Sequence, residues 1–202
     1  MKIDIDDIAY WVDAIRDAND HKRLLESFWH GQLESKKWLC EELPKVTHAE
    51  ASKIVIFGGW HGILATMLFN SELGVRHIRS VDIDPACKDI ALSMNKKYEI
   101  DGKFDAVTEN MCNYEYTEDP QIVINTSCEH ITQEQYNTWL NKVPTDTWVV
   151  VQSNNFSSHP EHINCSENLL DFKWKSNISK EFYSGTLELP KYDRYMIIGR
   201  KK

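Results

Sequence analysis

From Asp7 to about Leu43 the apolar positions Ile8, Trp11, Val12 and Ile15, then Leu24, Leu25, Phe28, Trp29 and Leu33, then Trp38 and Leu39 return every three or four residues. That spacing gathers them on one side of a helix, so two or three amphipathic helices open the chain. Asn19-Asp20 breaks the series and offers an N-cap, and Pro44 is expected to end it. The pattern then changes. Ile54-Val55-Ile56-Phe57 is a continuous apolar run closed by Gly58-Gly59, as in a strand covered on both faces. Residues 61–73 return to helical spacing, and residues 78–83 form a second buried run ended by Asp84-Pro85. Residues 88–98 read as helix, 106–108 and 122–125 as short strands, 133–143 as helix and 147–152 as a fifth strand. Strands alternating with helices predict an α/β fold with a parallel, doubly wound sheet. Residues 182–189 and 192–199 are separated only by Pro190-Lys191. That is too little chain for a crossover helix, so the two close as an antiparallel hairpin.

The chain has 202 residues, enough for one α/β domain with a short extension, here read as an N-terminal helical cap over 1–50 and a sheet domain over 51–202. A net charge of −8 disfavours nucleic acid as a partner, because a phosphate backbone would be repelled. Cys40, Cys87, Cys112, Cys128 and Cys165 are odd in number, widely spaced and free of a C-x-x-C pair, which argues against a zinc site or a disulfide framework. The acidic start MKIDIDDIAYW does not fit a secretory signal, and no apolar run approaches the ~20 residues that span a bilayer. The expectation is a cytoplasmic protein with no membrane contact.

Two features carry chemistry. Gly58, Gly59 and Gly62, with Trp60 and His61 between them, stand at the turn from the first strand into the next helix, where missing Cβ atoms let backbone approach a ligand. Asp82 ends the second strand about 20 residues past that turn, where a carboxylate can accept both hydroxyls of a ribose. Asp84 is the better placed of the two acids to cap the next helix. Together the glycines and the acid indicate a nucleoside.

Gly58 to Gly62, the Val-Asp-Ile-Asp-Pro stretch at 81–85, Asn110-Met111 after the third strand and the terminal hairpin resemble the class I S-adenosylmethionine-dependent methyltransferases over about residues 50–200. The resemblance implies a Rossmann-like sheet in the order 3-2-1-4-5-7-6 with its last strand antiparallel. It implies S-adenosyl-L-methionine as cofactor and S-adenosyl-L-homocysteine as product. Gly58 and Gly62 match the first and third glycines, Asp82 the ribose acid, Ile83 an adenine-packing position and Asn110, with Met111 beside it, the partner of the adenine amine. Two departures stand out: Trp60 replaces the middle glycine, and Ile56-Phe57 leaves the first strand without its usual acid. The methionine ammonium would then meet the carbonyls of Gly58 or Asn125, and Trp60 either covers the cofactor or acceptor channel or joins the core.

The acceptor side is less defined. Asn125 sits where many members carry Asp or Asn, but the proline-aromatic pair of nucleobase amino-methylases is absent, and a small-molecule acceptor is expected. Glu129 and His130 are either a base or orienting group for the acceptor or the opening of the helix at Thr132. Gln152-Ser153-Asn154-Asn155-Phe156 offers hydrogen bonds or ordinary turn chemistry. His159-Pro160-Glu161-His162 reads as a solvated loop, and no metal is expected. Among the first helices, Trp29, Gln32, Ser35 and Lys36 are the residues read as facing the cofactor, as parts of a lid. Three other readings use the same fold: cleavage of the aminobutyryl C–S bond, as in nicotianamine synthases or adenosylmethionine lyases; a nicotinamide-dependent oxidoreductase, disfavoured because Phe57 replaces its first fingerprint glycine; and a non-catalytic cofactor-binding subunit.

Overall fold

The computed structural model of the protein describes residues 2–47 and 52–201. Three helices come first: α1 (Ile5–Asp17), α2 (His21–Glu26) and α3 (His30–Thr47). Asp4 caps α1 by accepting from the Asp6 N–H, and Asp20 caps α2 by accepting from the Arg23 N–H at 2.9 Å, as Asn19-Asp20 leads one to expect. Pro44 does not end the series. It lies inside the last turns of α3, where a single lost backbone bond is offset by the burial of Leu39, Cys40 and Leu43, and Thr47 Oγ1 donates to the Leu43 carbonyl.

Then follow β1 (Ser52–Phe57), α4 (Ile63–Phe69), β2 (Val75–Asp82), α5 (Pro85–Met94), α6 (Lys96–Ile100), β3 (Phe104–Thr108), β4 (Ile122–Asn125), α7 (Gln133–Lys142), β5 (Trp148–Asn154), α8 (Leu169–Ser176), β6 (Lys180–Glu188) and β7 (Asp193–Arg200). The strands make one sheet in the order β3-β2-β1-β4-β5-β7-β6. All pairs from β3 to β5 are parallel, and β7 runs antiparallel to both β5 and β6. The fold class and strand order expected from the sequence are therefore present. One element, α8, has no counterpart in the periodicity reading.

Alternation along the strands decides the layers. Ile54 and Ile56 join Ile78, Ile122, Ile124, Val150 and Met196 in a core with residues of α1 to α6, whereas Val55 and Phe57 join Val123, Val149, Val151 and Ile197 in a second core with α7 and α8. Ala14, Leu24, Leu39 and Leu43 belong to the first of these cores, so the N-terminal helices share the packing of the sheet. The proposed boundary between 50 and 51 lies outside the described residues. Parallel strands end together, so the carboxyl ends of β1 to β5 form one edge where loops carry polar groups.

A buried polar contact also docks α1. Asp7 is 1% exposed, and its Oδ2 accepts from Asn70 Nδ2 at 2.7 Å and from the Tyr98 hydroxyl at 3.1 Å. Burial and this carboxylate push the Tyr98 hydroxyl pKa up, which keeps it a donor. Replacing Asp7 with alanine leaves the buried Tyr98 hydroxyl without its acceptor, at about 1–3 kcal/mol, while Asn70 Nδ2 keeps the Thr66 carbonyl. We expect Asp7→Ala to lower the melting temperature by about 2–4 °C for each kcal/mol, and an unchanged denaturation curve would show that α1 is not held this way.

Candidate functional site

The turn from β1 to α4 is built by backbone conformation. Gly58 and Gly62 have φ of +61° and +78°, a region glycine enters without penalty, and a Cβ on Gly58 would stand 2.5 Å from Ser127 Oγ. Trp60 has φ of +47° although it is not glycine, a conformation that costs energy unless the surroundings hold it. Asp82 supplies the hold: its Oδ2 accepts from the Trp60 N–H at 2.8 Å, while its Oδ1 accepts from the Asp84 N–H at 3.0 Å. A carboxylate has about four acceptor sites, so Asp82 keeps capacity for further donors. Asp84 caps α5 through the Ala86 N–H and pairs with Arg23 of α2.

Next to Asp82, Ile83 is 66% exposed at the strand end. Asn110 Oδ1 accepts from the Cys112 N–H, which shapes the loop after β3, and Met111 Sδ lies 3.6 Å from Asn125 Nδ2. Asn125 is fully buried, and its Oδ1 accepts from the Ser127 N–H. Its side chain thus sets the loop after β4. His61 is 1% exposed and stacks on Trp60, with ring centroids 4.9 Å apart. It lies in a cleft of about 420 Å³ between the α1–α2 region and the start of α5, with Arg23, Asp20 and Asp89 on the walls.

A second group of residues stands across β4, β5 and β7. Glu129, in a single 3-10 turn over Cys128–His130, is 2% exposed, and its Oε1 accepts from Asn154 Nδ2 at 2.8 Å and from Arg194 Nη1. Arg194, 3% exposed, also donates to the Thr126 carbonyl. Glu129 is therefore an ion-paired group beneath the surface, and the helix at Thr132 opens without it through a capping box with Gln135. Gln152 Nε2 donates to the Ser35 carbonyl, joining β5 to α3. Ser35 is buried, and its hydroxyl donates to the Gln32 carbonyl, so it packs the helix onto the sheet. Lys36 Nζ donates to Gln32 Oε1 at 2.7 Å, and desolvation, with Arg194 adding to it, lowers the Lys36 ammonium pKa to about 7. Trp29 and Phe156 stack on either side of this region against Tyr192, with centroids 6.2 and 5.3 Å away.

The structure thus groups Gly58, Gly59, Trp60, His61, Gly62, Asp82 and Ile83 at β1–β2, and Gln32, Lys36, Glu129, Asn154 and Arg194 at β4–β5–β7. Sequence reasoning missed Arg194; a lone arginine inside the apolar run of a hairpin strand is the signal that asks for a buried acid. The loop holding His159 and His162 differs from its solvated reading: His162 is partly buried and lies against His130, with centroids 4.7 Å apart.

Burial lowers the His61 pKa from 6.5 to about 4, with Arg23 adding to the fall. Between those values the unfolded chain binds a proton that the native site refuses, so native stability falls as pH drops through this window. The loss reaches about 3 kcal/mol at most. Urea unfolding between about pH 7 and about pH 4.5 should show His61→Leu gaining on the wild type as pH falls. Parallel pH curves for the two proteins would contradict the burial of a neutral imidazole.

No protein-family model matches the sequence, and no curated protein matches it. Solved structures do. The N-methyltransferase NodS from Bradyrhizobium japonicum in complex with S-adenosyl-L-homocysteine superposes with a TM-score of 0.71 at 8% identity, over 95% of this chain and 98% of that one. The pyocyanin biosynthetic protein PhzM gives 0.67 at 11% identity, over 95% and 62%. MtNAS in complex with MTA and tNA gives 0.63 at 12% identity, over 97% and 70%. The chain has the fold of the class I S-adenosylmethionine-dependent methyltransferases.

Proposed function

We propose that the protein is an S-adenosyl-L-methionine-dependent methyltransferase acting on a small molecule. The observation that carries this reading is the pairing of Asp82 with the left-handed turn at Trp60 on the edge of a sheet with the methyltransferase strand order. The residues present suit the cofactor. Asp82 retains acceptor sites for two ribose hydroxyls, Ile83 offers an uncovered apolar surface to an adenine face, and Asn110 and Met111 border the same strand ends. Phe57, where the family often has an acid, is fully buried against Tyr114, Tyr116 and Trp139. Recognition of the methionine ammonium therefore falls to backbone carbonyls at Gly58 and Asn125.

When bound, the sulfonium supplies an activated methyl group, so the protein's task is alignment and exclusion of water. Helix α3 and the residue before it do the excluding, since α3 joins β5 through Gln152 and Trp29, just ahead of α3, stacks on Tyr192. Lys36, with its lowered pKa, is a proton acceptor near neutral pH on the same wall, and the pair of Glu129 and Arg194 orients an acceptor through fixed charge. The negative net charge disfavours a nucleic-acid acceptor, and no helix of the described residues is long and apolar enough to cross a membrane.

One further observation favours a second reading with the same cofactor. MtNAS, a nicotianamine synthase, shares the fold over 97% of this chain, and the first strand here lacks the usual acid at the methionine end. Transfer of the aminobutyryl group would leave methylthioadenosine, whereas methyl transfer leaves S-adenosylhomocysteine. Chromatography of the nucleoside product separates the two.

Loss of two charge-assisted bonds to ribose, at about 1.5–3 kcal/mol each before water compensates, predicts that Asp82→Asn weakens S-adenosylhomocysteine binding by at least about tenfold. Calorimetric titration of the two proteins checks this, with a melt to show that the turn at Trp60 is intact. Equal affinity in a folded Asp82→Asn protein would remove Asp82 from the nucleoside site.

A further inference from the structure

The 3-10 turn after β4 and the loop after β5 bring together three side chains able to ligate a metal. One ligand atom from each of Glu129, His130 and His162 lies within 4.8 Å of the other two. The two segments are locked in register, because the Ile163 and Asn164 N–H groups both donate to the Glu129 carbonyl, at 2.9 and 3.0 Å.

Each ligand is prepared in a way that its local structure explains. His162 Nδ1 lies 2.9 Å from the Phe156 carbonyl, which can only accept, so Nδ1 carries the proton and Nε2 presents a lone pair. Metal-ligating histidines are oriented by this same donation to a backbone carbonyl. Glu129 Oε1 is engaged by Arg194 and Asn154, while Oε2 is buried and has no hydrogen-bond partner among the described residues. A buried carboxylate oxygen without a donor is costly unless something positive completes it. His130 is exposed and stands edge-on to the His162 ring. His159 is close as well, but its Nδ1 accepts from the Glu161 N–H, which places its proton on Nε2 and leaves it a donor.

We propose that Glu129, His130 and His162 form a binding site for a divalent transition cation of the Zn²⁺ type. Two imidazole nitrogens and one carboxylate oxygen match that class, and three protein ligands leave a further position open. Mg²⁺ and Ca²⁺ prefer oxygen ligands throughout and suit this set poorly. Bonds of about 2.0–2.2 Å to a tetrahedral ion place donors about 3.4 Å apart, so the ligands must draw in, and the exposed His130 has the freedom to do so. Arg194 competes for the same carboxylate, which makes the site weaker than a structural zinc centre. A water or acceptor hydroxyl bound at the open position would lose its proton more readily. That catalytic role rests on the methyl-transfer reading; cation binding does not.

The test is a titration of the chelator-treated full-length protein with Co²⁺, followed by its visible absorption, and then displacement by Zn²⁺. One saturable equivalent is expected, with affinity reduced at least about tenfold in His130→Ala and in His162→Gln. His21→Ala, on the exposed start of α2, should bind as the wild type does. Absence of a saturable equivalent, unchanged affinity in folded His130→Ala, or an equal loss in His21→Ala would each overturn the site. His130 is exposed, so its variant is expected to fold and keeps the test decisive if His162→Gln does not. Calorimetric titration of the same samples with S-adenosylhomocysteine separates failure of the metal site from failure of the cofactor reading.

Discussion

The pair formed by Glu129 and Arg194, sealed from solvent, ties the loop after β4 to the first residues of β7, and Asn154 adds the end of β5 to the same carboxylate. Removing one member of such a pair leaves an uncompensated charge and typically costs 3–5 kcal/mol, far more than an exposed ion pair. Three strand ends that a parallel sheet would leave to independent loops are fixed relative to one another. The same edge carries the Ser127 side chain that crowds Gly58, the Gln152 contact to α3, and the His162 loop bonded to the Glu129 carbonyl.

The edge divides into two halves with different physics. At β1–β2 the shaping is done by backbone: left-handed residues at 58, 60 and 62, with Asp82 stabilising the one that is not glycine. Such a surface brings peptide groups close to a ligand and leaves one carboxylate to read hydroxyls, which suits a nucleoside. At β4–β5–β7 the shaping is done by buried charge and by aromatic rings, with the Lys36 ammonium pKa lowered by desolvation. A group whose pKa has been drawn toward neutrality beside fixed charges is equipped for proton transfer. Cofactor on the first half and acceptor on the second is the arrangement these properties favour.

Much of this was legible in the sequence, for physical reasons. Strands buried on both faces appear as unbroken apolar runs, so 54–57 and 122–125 are readable, and Asp20 and Asp84 are readable as caps because capping is local. The strand order came from family resemblance, not from periodicity. Helix α8 was missed because Leu170 and Trp174 are 76% and 81% exposed, which blurs its apolar face. Pro44 signals a stop when propensity weighs it alone, whereas packing of Leu39 and Leu43 carries the helix past it. Arg194 lies 65 residues from Glu129, and no spacing rule connects them. The same limit hid the approach of His162 to His130, since loop partners are chosen by tertiary contacts that hydropathy does not encode.

A crystal structure of the chain with S-adenosylhomocysteine is the most direct measurement of this division of the edge. Ribose hydroxyls on Asp82, adenine on Ile83, and the sulfur directed toward the region of Lys36, Glu129 and Asn154 are the predicted result. Nucleoside bound elsewhere, or a sulfur directed away from β4 and β5, would contradict it.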